Sequence, residues 1–98
     1  MSKPVTEFDR ARNGDTDAFA AIMRQYAPIV AACFFGRIND YEDREDLIQE
    51  VFIRAYRMLN SVRDPGRLGP WLSAIAKNVL ADALRRRQKM DRIREAAE

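Results

Sequence analysis

The 98-residue sequence contains no histidine and a single cysteine, Cys33. Without histidine there can be no catalytic triad built on an imidazole base, and one cysteine cannot form a disulfide framework or a zinc site. Cys33 lies in the apolar run AACFF, so we interpret it as a small core residue rather than a nucleophile. We expect neither a metal nor a cofactor, and no acid–base constellation typical of an enzyme is present.

Long apolar runs are also lacking. No stretch approaches the ~20 residues of a membrane span, and the start MSKPVTEFDR has no apolar signal segment. We therefore expect a soluble, intracellular protein without membrane insertion.

Charge is unevenly distributed along a chain whose net charge is +2. Residues 1–65 contain nine basic and eleven acidic residues, whereas residues 66–98 contain eight basic and four acidic ones. Residues 40–50 alone contain six acids and one basic residue, Arg44. An acidic stretch and a basic end in one chain favour two different partners.

The spacing of apolar residues predicts helices, and no stretch alternates as a strand does. The predicted segments are helices at 4–12, about 17–37 and 43–60, a loop at 61–69, and a helix from about 70 to 90. Pro4 is expected in the first turn of the first helix, and Pro28 should kink the second. Residues after Met90 either continue the last helix or form a linker. The predicted fold is all-α, a single compact domain over residues 1–98 with three longer helices and a short N-terminal one.

The last helix is predicted to have two faces. Its core face, at about 100° per residue, comprises Leu72, Ile75, Ala76, Val79 and Ala83, with Leu80 and Leu84 at the edge. A second stripe contains Trp71, Asn78, Asp82 and Arg85. An aromatic ring, an amide and arginines suit base stacking, base-edge reading and phosphate contact, so this stripe favours nucleic acid. The alternatives are that Trp71 plugs a core edge, and that Arg85, Arg86 and Arg87 only complement the helix dipole. Asp82 is expected to pair with Arg85 and Arg86.

The third helix carries an unusual polar face. Ile53 lies on it among Asp46, Gln49, Glu50 and Arg57. An apolar residue surrounded by charges is typical of a small protein-binding hot spot, although one exposed isoleucine is also ordinary.

Two stretches in this order resemble region 2 of the bacterial RNA polymerase sigma factors, most closely those of the extracytoplasmic-function group. They are DREDLIQEVFIRAYRMLN at 43–60 and WLSAIAKNVLADALRRRQK at 71–89, and the preceding GDTDAFAAIMRQY is similar to the run after that family's first short helix. The resemblance covers most of the chain. It implies a role in transcription initiation rather than an enzymatic one.

The resemblance also implies a division of roles. Core RNA polymerase would be held through the coiled coil of its β′ clamp subunit by residues of the third helix: Asp46, Gln49, Glu50, Ile53, Arg54 and Arg57. The minus-ten promoter element would be met by residues of the loop and the fourth helix: Arg63, Arg67, Trp71, Ala74, Lys77, Asn78, Arg85, Arg86 and Arg87. The loop would capture a base flipped out of the non-template strand. An anti-sigma factor is the regulatory partner implied, and the cytoplasm is the implied location.

The sequence departs from the family at two places. It ends at Glu98 without region 4, the domain that reads the minus-thirty-five element, so it is either a fragment of a longer factor or a single-domain member. Gly69 and Pro70 stand where the family often has Phe or Thr, which bears on the base pocket. Two other functions are left open. One is an autonomous helix-turn-helix binder of duplex DNA, against which the long loop counts, and the other is a helical adaptor for another protein.

Overall fold

A computed structural model describes residues 6–98, and its regular elements are all helices. They are α1 (Glu7–Arg12), α2 (Thr16–Phe34), α3 (Tyr41–Met58) and α4 (Leu68–Ala97), with 3₁₀ turns at Leu59–Ser61 and Pro65–Arg67 between the last two. The predicted all-α fold, with three longer helices and one short one, is confirmed. None of the helices over residues 6–98 has both the length and the apolarity needed to cross a bilayer.

Side-chain caps fix where the first three helices begin. Thr6 caps α1 in a reciprocal capping box with Asp9, so the helix begins at Glu7; the predicted start at Pro4 lies outside the described residues. Asp15 caps α2 by accepting a hydrogen bond from the Ala18 N–H at 3.1 Å. Asp40 caps α3 in the same way, and α3 therefore begins at Tyr41, two residues before the predicted start.

Helix α2 ends earlier than predicted, before the connection to α3. Helix α2 ends at Phe34 instead of near Arg37, because Gly36 adopts a φ of +80° that no helix allows. Ile38 then turns back into the core, where it is 2% exposed.

Helix α4 is longer than predicted at both ends. Asp64 accepts a hydrogen bond from the Gly66 N–H at 2.9 Å and caps the 3₁₀ turn that leads directly into the helix at Leu68. Pro70 is tolerated because the first-turn N–H groups have no partner within the helix. Residues after Met90 continue the helix to Ala97, which is the first of the two alternatives left open for them.

One core joins all four helices. The face predicted for α4 is buried at Leu72, Ile75, Ala76 and Val79, whereas Ala83 is only half-buried. Helices α2 and α3 contribute further buried side chains, and the 3₁₀ turn after α3 contributes Leu59; those of the two helices are Ile22, Met23, Val30, Phe34, Leu47, Val51 and Ala55. Phe19, Tyr26, Cys33, Ile48 and Phe52 are half-buried at its margin. Val62 and Leu68, which were not predicted to be core residues, anchor the α3–α4 loop.

Candidate nucleic-acid and protein interfaces

The loop between α3 and α4 forms a groove of about 540 Å³, called here the loop groove. It is lined by Ser61, Val62, Arg63, Asp64, Arg67, Pro70 and Trp71. Three residues predicted to bind DNA, Arg63, Arg67 and Trp71, therefore meet at one site. The two arginines are exposed and form no ion pair within residues 6–98, whereas Trp71 is half-buried against the core. The site offers an aromatic ring that is fixed in position and two cations that are not neutralised.

The outer face of α4 continues from this groove. Ala74, Lys77 and Asn78 are exposed there, one to two turns after Trp71. Neither the amide of Asn78 nor the ammonium of Lys77 has a side-chain partner within the part of the chain that the structure describes. Both groups are free to contact a ligand laid along this face.

The arginine run, Arg85–Arg87, differs from these cations because each member has a carboxylate nearby. Arg85 is hydrogen-bonded to Asp82. Arg86 lies 4.0 Å from Glu50, and Arg87 lies 3.9 Å from Asp43, both on α3. The expected pairing of Asp82 with Arg86 is therefore wrong, because the crossing of α3 and α4 brings Glu50 closer to Arg86. These arginine side chains are 50–72% exposed, so each pair contributes little and a phosphate could displace it.

Arg54 lies between α3 and α4 rather than on an open surface. Its guanidinium donates to Glu50 at 2.8 Å and to Asp82, on α4, at 3.4 Å. The hydrogen bond to Glu50 is the main reason why the pKa of Arg54 is raised. The hydrogen bond from Arg85, followed by that from Arg54, lowers the pKa of Asp82. The ion pairs of Arg54 fix the position of Glu50 and join the two helices.

A second groove, of about 800 Å³, runs between α2 and α3 and is called the α2–α3 groove. It is lined by Phe19, Ala27, Glu45, Asp46, Ile48, Gln49, Phe52, Ile53, Tyr56 and Arg57. Four of the six residues predicted to bind polymerase line it, namely Asp46, Gln49, Ile53 and Arg57. Glu50 and Arg54, the other two, lie on the side of α3 that faces α4.

Sequence reasoning missed Tyr56 in this groove. Its ring is 46% exposed and packs edge-on against Phe19, with centroids 5.1 Å apart and an angle of 74° between the ring planes. Ile53 beside it is 45% exposed. The aromatic partner comes from α2, so only the spacing of Tyr56 three residues after Ile53 could have indicated it.

The two grooves share no lining residue. Gln49 and Asn78 are exposed and Glu50 is half-buried, so all three can reach a partner. The acidic stretch of α3 and the arginine run of α4 are nevertheless not fully separated in space. Glu50 and Asp43 on α3 lie beside Arg86 and Arg87 on α4.

A family model described as Sigma-70 region 2 matches residues 22–90, which is most of the chain. The chain belongs to the sigma-70 region 2 family. Members of this family are transcription initiation factors and not enzymes.

Its relatives place this sigma region 2 domain in the extracytoplasmic-function (ECF) group. It is 37% identical over 75 residues to the ECF RNA polymerase sigma factor BldN of Streptomyces coelicolor, covering 76% of this chain and 28% of BldN. It is 32% identical over 79 residues to the ECF sigma factor SigW of Bacillus subtilis, covering 81% of this chain and 42% of SigW. It is 34% identical over 87 residues to the ECF sigma-E factor of Escherichia coli, covering 86% of this chain and 45% of sigma-E. The chain thus spans less than half the length of each of these relatives.

A solved structure has the same fold. The NMR structure of an engineered region 2 of sigmaE in complex with GTAAAA matches with a TM-score of 0.75 and 31% identity. The match covers 92% of this chain and 97% of that one. The region 2 fold therefore extends over nearly the whole chain.

Proposed function

We propose that this domain recognises and opens promoters for RNA polymerase, by capturing single-stranded non-template DNA of the minus-ten element while bound to the polymerase. The observation that carries the proposal is the loop groove, which Trp71, in the first turns of α4, lines together with two unpaired arginines, about two turns before the exposed amide of Asn78. The related engineered region 2 of sigmaE, solved with the oligonucleotide GTAAAA, supports it.

The physical basis for DNA opening is a preference for unpaired strand. Flipping a base out of a duplex costs a few kcal/mol. Stacking on an aromatic ring recovers about 1–3 kcal/mol per base, and Arg63 and Arg67 can hold the adjoining phosphates. We propose that Ala74, Lys77 and Asn78 contact the strand as it continues along α4, and that Arg85, Arg86 and Arg87 bind phosphates after leaving their carboxylate partners.

We propose that the α2–α3 groove and the adjoining face of α3 bind the coiled coil of the β′ clamp subunit of core polymerase. Asp46, Gln49, Ile53 and Arg57 would touch the clamp directly. Glu50 would bind beside them, held in place by Arg54. A half-exposed apolar pair, Ile53 and Tyr56, within a charged rim matches the usual anatomy of an interface hot spot.

We further propose a cytoplasmic location and regulation by an anti-sigma factor. The α2–α3 groove is the largest of the grooves described here, and a protein that occupied it would compete with polymerase.

The two roles can be tested separately with charge-matched variants. We expect Asp46→Lys to weaken retention of core polymerase. Glu42→Lys makes the same charge reversal outside the groove and should retain core polymerase as the wild type does. We expect Asn78→Ala to weaken binding of a fork-junction DNA, a duplex stem with a single-stranded GTAAAA overhang, without affecting polymerase binding. Full polymerase retention by Asp46→Lys would contradict the first role. A wild-type chain that prefers blunt duplex to the fork would instead favour a helix-turn-helix type of binder.

A further inference from the structure

A third groove, of about 430 Å³, lies between α2 and α4 and is called the α2–α4 groove. Its lining residues are Cys33, Arg37, Lys77, Leu80, Ala81 and Leu84. None of them is acidic, whereas acids line the loop groove, the α2–α3 groove and the crossing of α3 with α4. The α2–α4 groove therefore has an apolar floor and a cationic rim.

Both rim cations are free to bind an anion. Arg37 and Lys77 are exposed, and neither forms an ion pair or a side-chain hydrogen bond within residues 6–98. The arginine run, in contrast, has its carboxylate partners on α3 and α4. A phosphate that binds between Arg37 and Lys77 displaces no carboxylate, whereas one that binds to the arginine run must do so.

The position of the groove relates it to the proposed DNA surface. Lys77 precedes Asn78 directly and lies six residues after Trp71, or about 9 Å along the helix axis at 1.5 Å per residue. Phosphates of one strand are about 3.4 Å apart along the axis of B-form DNA and further apart in an extended single strand, so this distance spans at most about three nucleotides. DNA that continues from the loop groove along α4 would thus bring a phosphate to Lys77.

We propose that Arg37, in the connection that follows α2, is a DNA-binding residue that clamps a backbone phosphate together with Lys77, so that promoter DNA follows the α2 side of α4. The inference rests on the proposed function and adds to it a contact from the connection between α2 and α3, outside the loop groove and α4. An acidic helix of a protein partner is the competing occupant. DNA is favoured because Lys77 in this groove adjoins the exposed Asn78, and because the groove shares no lining residue with the α2–α3 groove.

The test compares two charge-matched variants of the 98-residue chain on the fork-junction DNA described above. Arg37→Gln removes the proposed contact. Arg24→Gln is the control, because Arg24, on α2, is exposed and unpaired like Arg37 but lines a different groove, beside Phe19 and Phe52. Fluorescence anisotropy at several salt concentrations gives both the affinity and its salt dependence.

We expect Arg37→Gln to reduce the magnitude of the slope of log affinity against log salt by about 0.7, the value for one contact to a single strand, and Arg24→Gln to leave the slope unchanged. At 0.1 M salt this change corresponds to about a fivefold loss of affinity, because each contact to a single-strand phosphate contributes a factor that varies as about the −0.7 power of salt. Lys77→Gln should give a similar loss, and Arg37→Lys should restore most of the binding.

The failures are distinguishable. Fork preference in the wild type with equal slopes for Arg37→Gln and Arg24→Gln would overturn the inference and leave the proposed function intact. Unchanged DNA binding with reduced polymerase binding by Arg37→Gln would also overturn it and assign the groove to a protein. A wild-type chain with no preference for the fork would refute the proposed function and the inference with it.

Discussion

Val62 links the stability of the fold to the shape of the loop groove. Its side chain is only 5% exposed, and it lines the groove directly before Arg63. Val62→Ala removes two buried methyl groups, a transfer loss of about 1.6 kcal/mol at about 0.8 kcal/mol each. Incomplete collapse of the cavity brings the expected loss to about 2 kcal/mol of unfolding free energy. For a domain of this size the melting temperature should fall by roughly 8–16 °C.

The same change should weaken DNA binding, because Arg63 and Trp71 are then held less firmly before the ligand arrives. If re-ordering the loop on binding costs about 1 kcal/mol, fork-junction DNA should bind about fivefold more weakly. Val51→Ala is the matched control, because it deletes the same two methyl groups from a fully buried valine in the middle of α3.

Calorimetry and anisotropy, the latter well below the melting temperature, check both effects. We expect the two variants to lose similar stability but only Val62→Ala to lose DNA affinity. Equal DNA binding by both variants would refute the view that Val62 organises the groove. An unchanged melting temperature for Val62→Ala would refute its burial.

Three further predictions concern other parts of the structure. Tyr56→Ala should weaken polymerase binding about tenfold, or about 1.4 kcal/mol, and leave fork-junction binding unchanged. Tyr56→Phe should bind polymerase normally, because it keeps the ring that packs on Phe19. The pKa of Asp82 is lowered below its ordinary value of 3.8, mainly by the hydrogen bond from Arg85. Ionised Asp82 therefore stabilises the fold at neutral pH, and this contribution is lost as the pH falls through the lowered pKa. Wild type should therefore melt above Asp82→Asn at neutral pH, with a difference that shrinks below about pH 4; a constant difference would contradict the assignment. Trp71 is the single tryptophan and lines the loop groove, so its fluorescence should change on adding single-stranded GTAAAA and should not change when the DNA is replaced by salt of equal ionic strength.

Local sequence patterns predicted the parts of the fold that depend on one helix at a time. The buried face of α4 follows directly from the spacing of Leu72, Ile75 and Val79. The start of α4 was missed because Gly69 and Pro70 indicate a break, whereas the Asp64-capped turn leads into the helix before them.

The periodicity of apolar residues could not predict contacts between helices. Arg54 and Asp82 are 28 residues apart in sequence, and only the crossing of α3 and α4 brings them to 3.4 Å. The α2–α4 groove likewise needs two helices, and nothing near Arg37 in the sequence indicates that Lys77 faces it. The residues of the loop groove were predicted together because they are neighbours along the chain.

The unbroken course of α4 past the bundle has a geometric consequence. From Arg85 to Ala97 the helix extends about 18 Å with every side chain exposed, including Met90 and Ile93, which are 50% and 52% exposed. The number of residues between the bundle and this apolar pair therefore fixes two things: the distance of the pair from the bundle, and the direction around the helix axis in which it faces. One residue inserted after Leu84 would turn the pair by about 100°, whereas seven would return it to within about 20° and carry it about 10 Å outward.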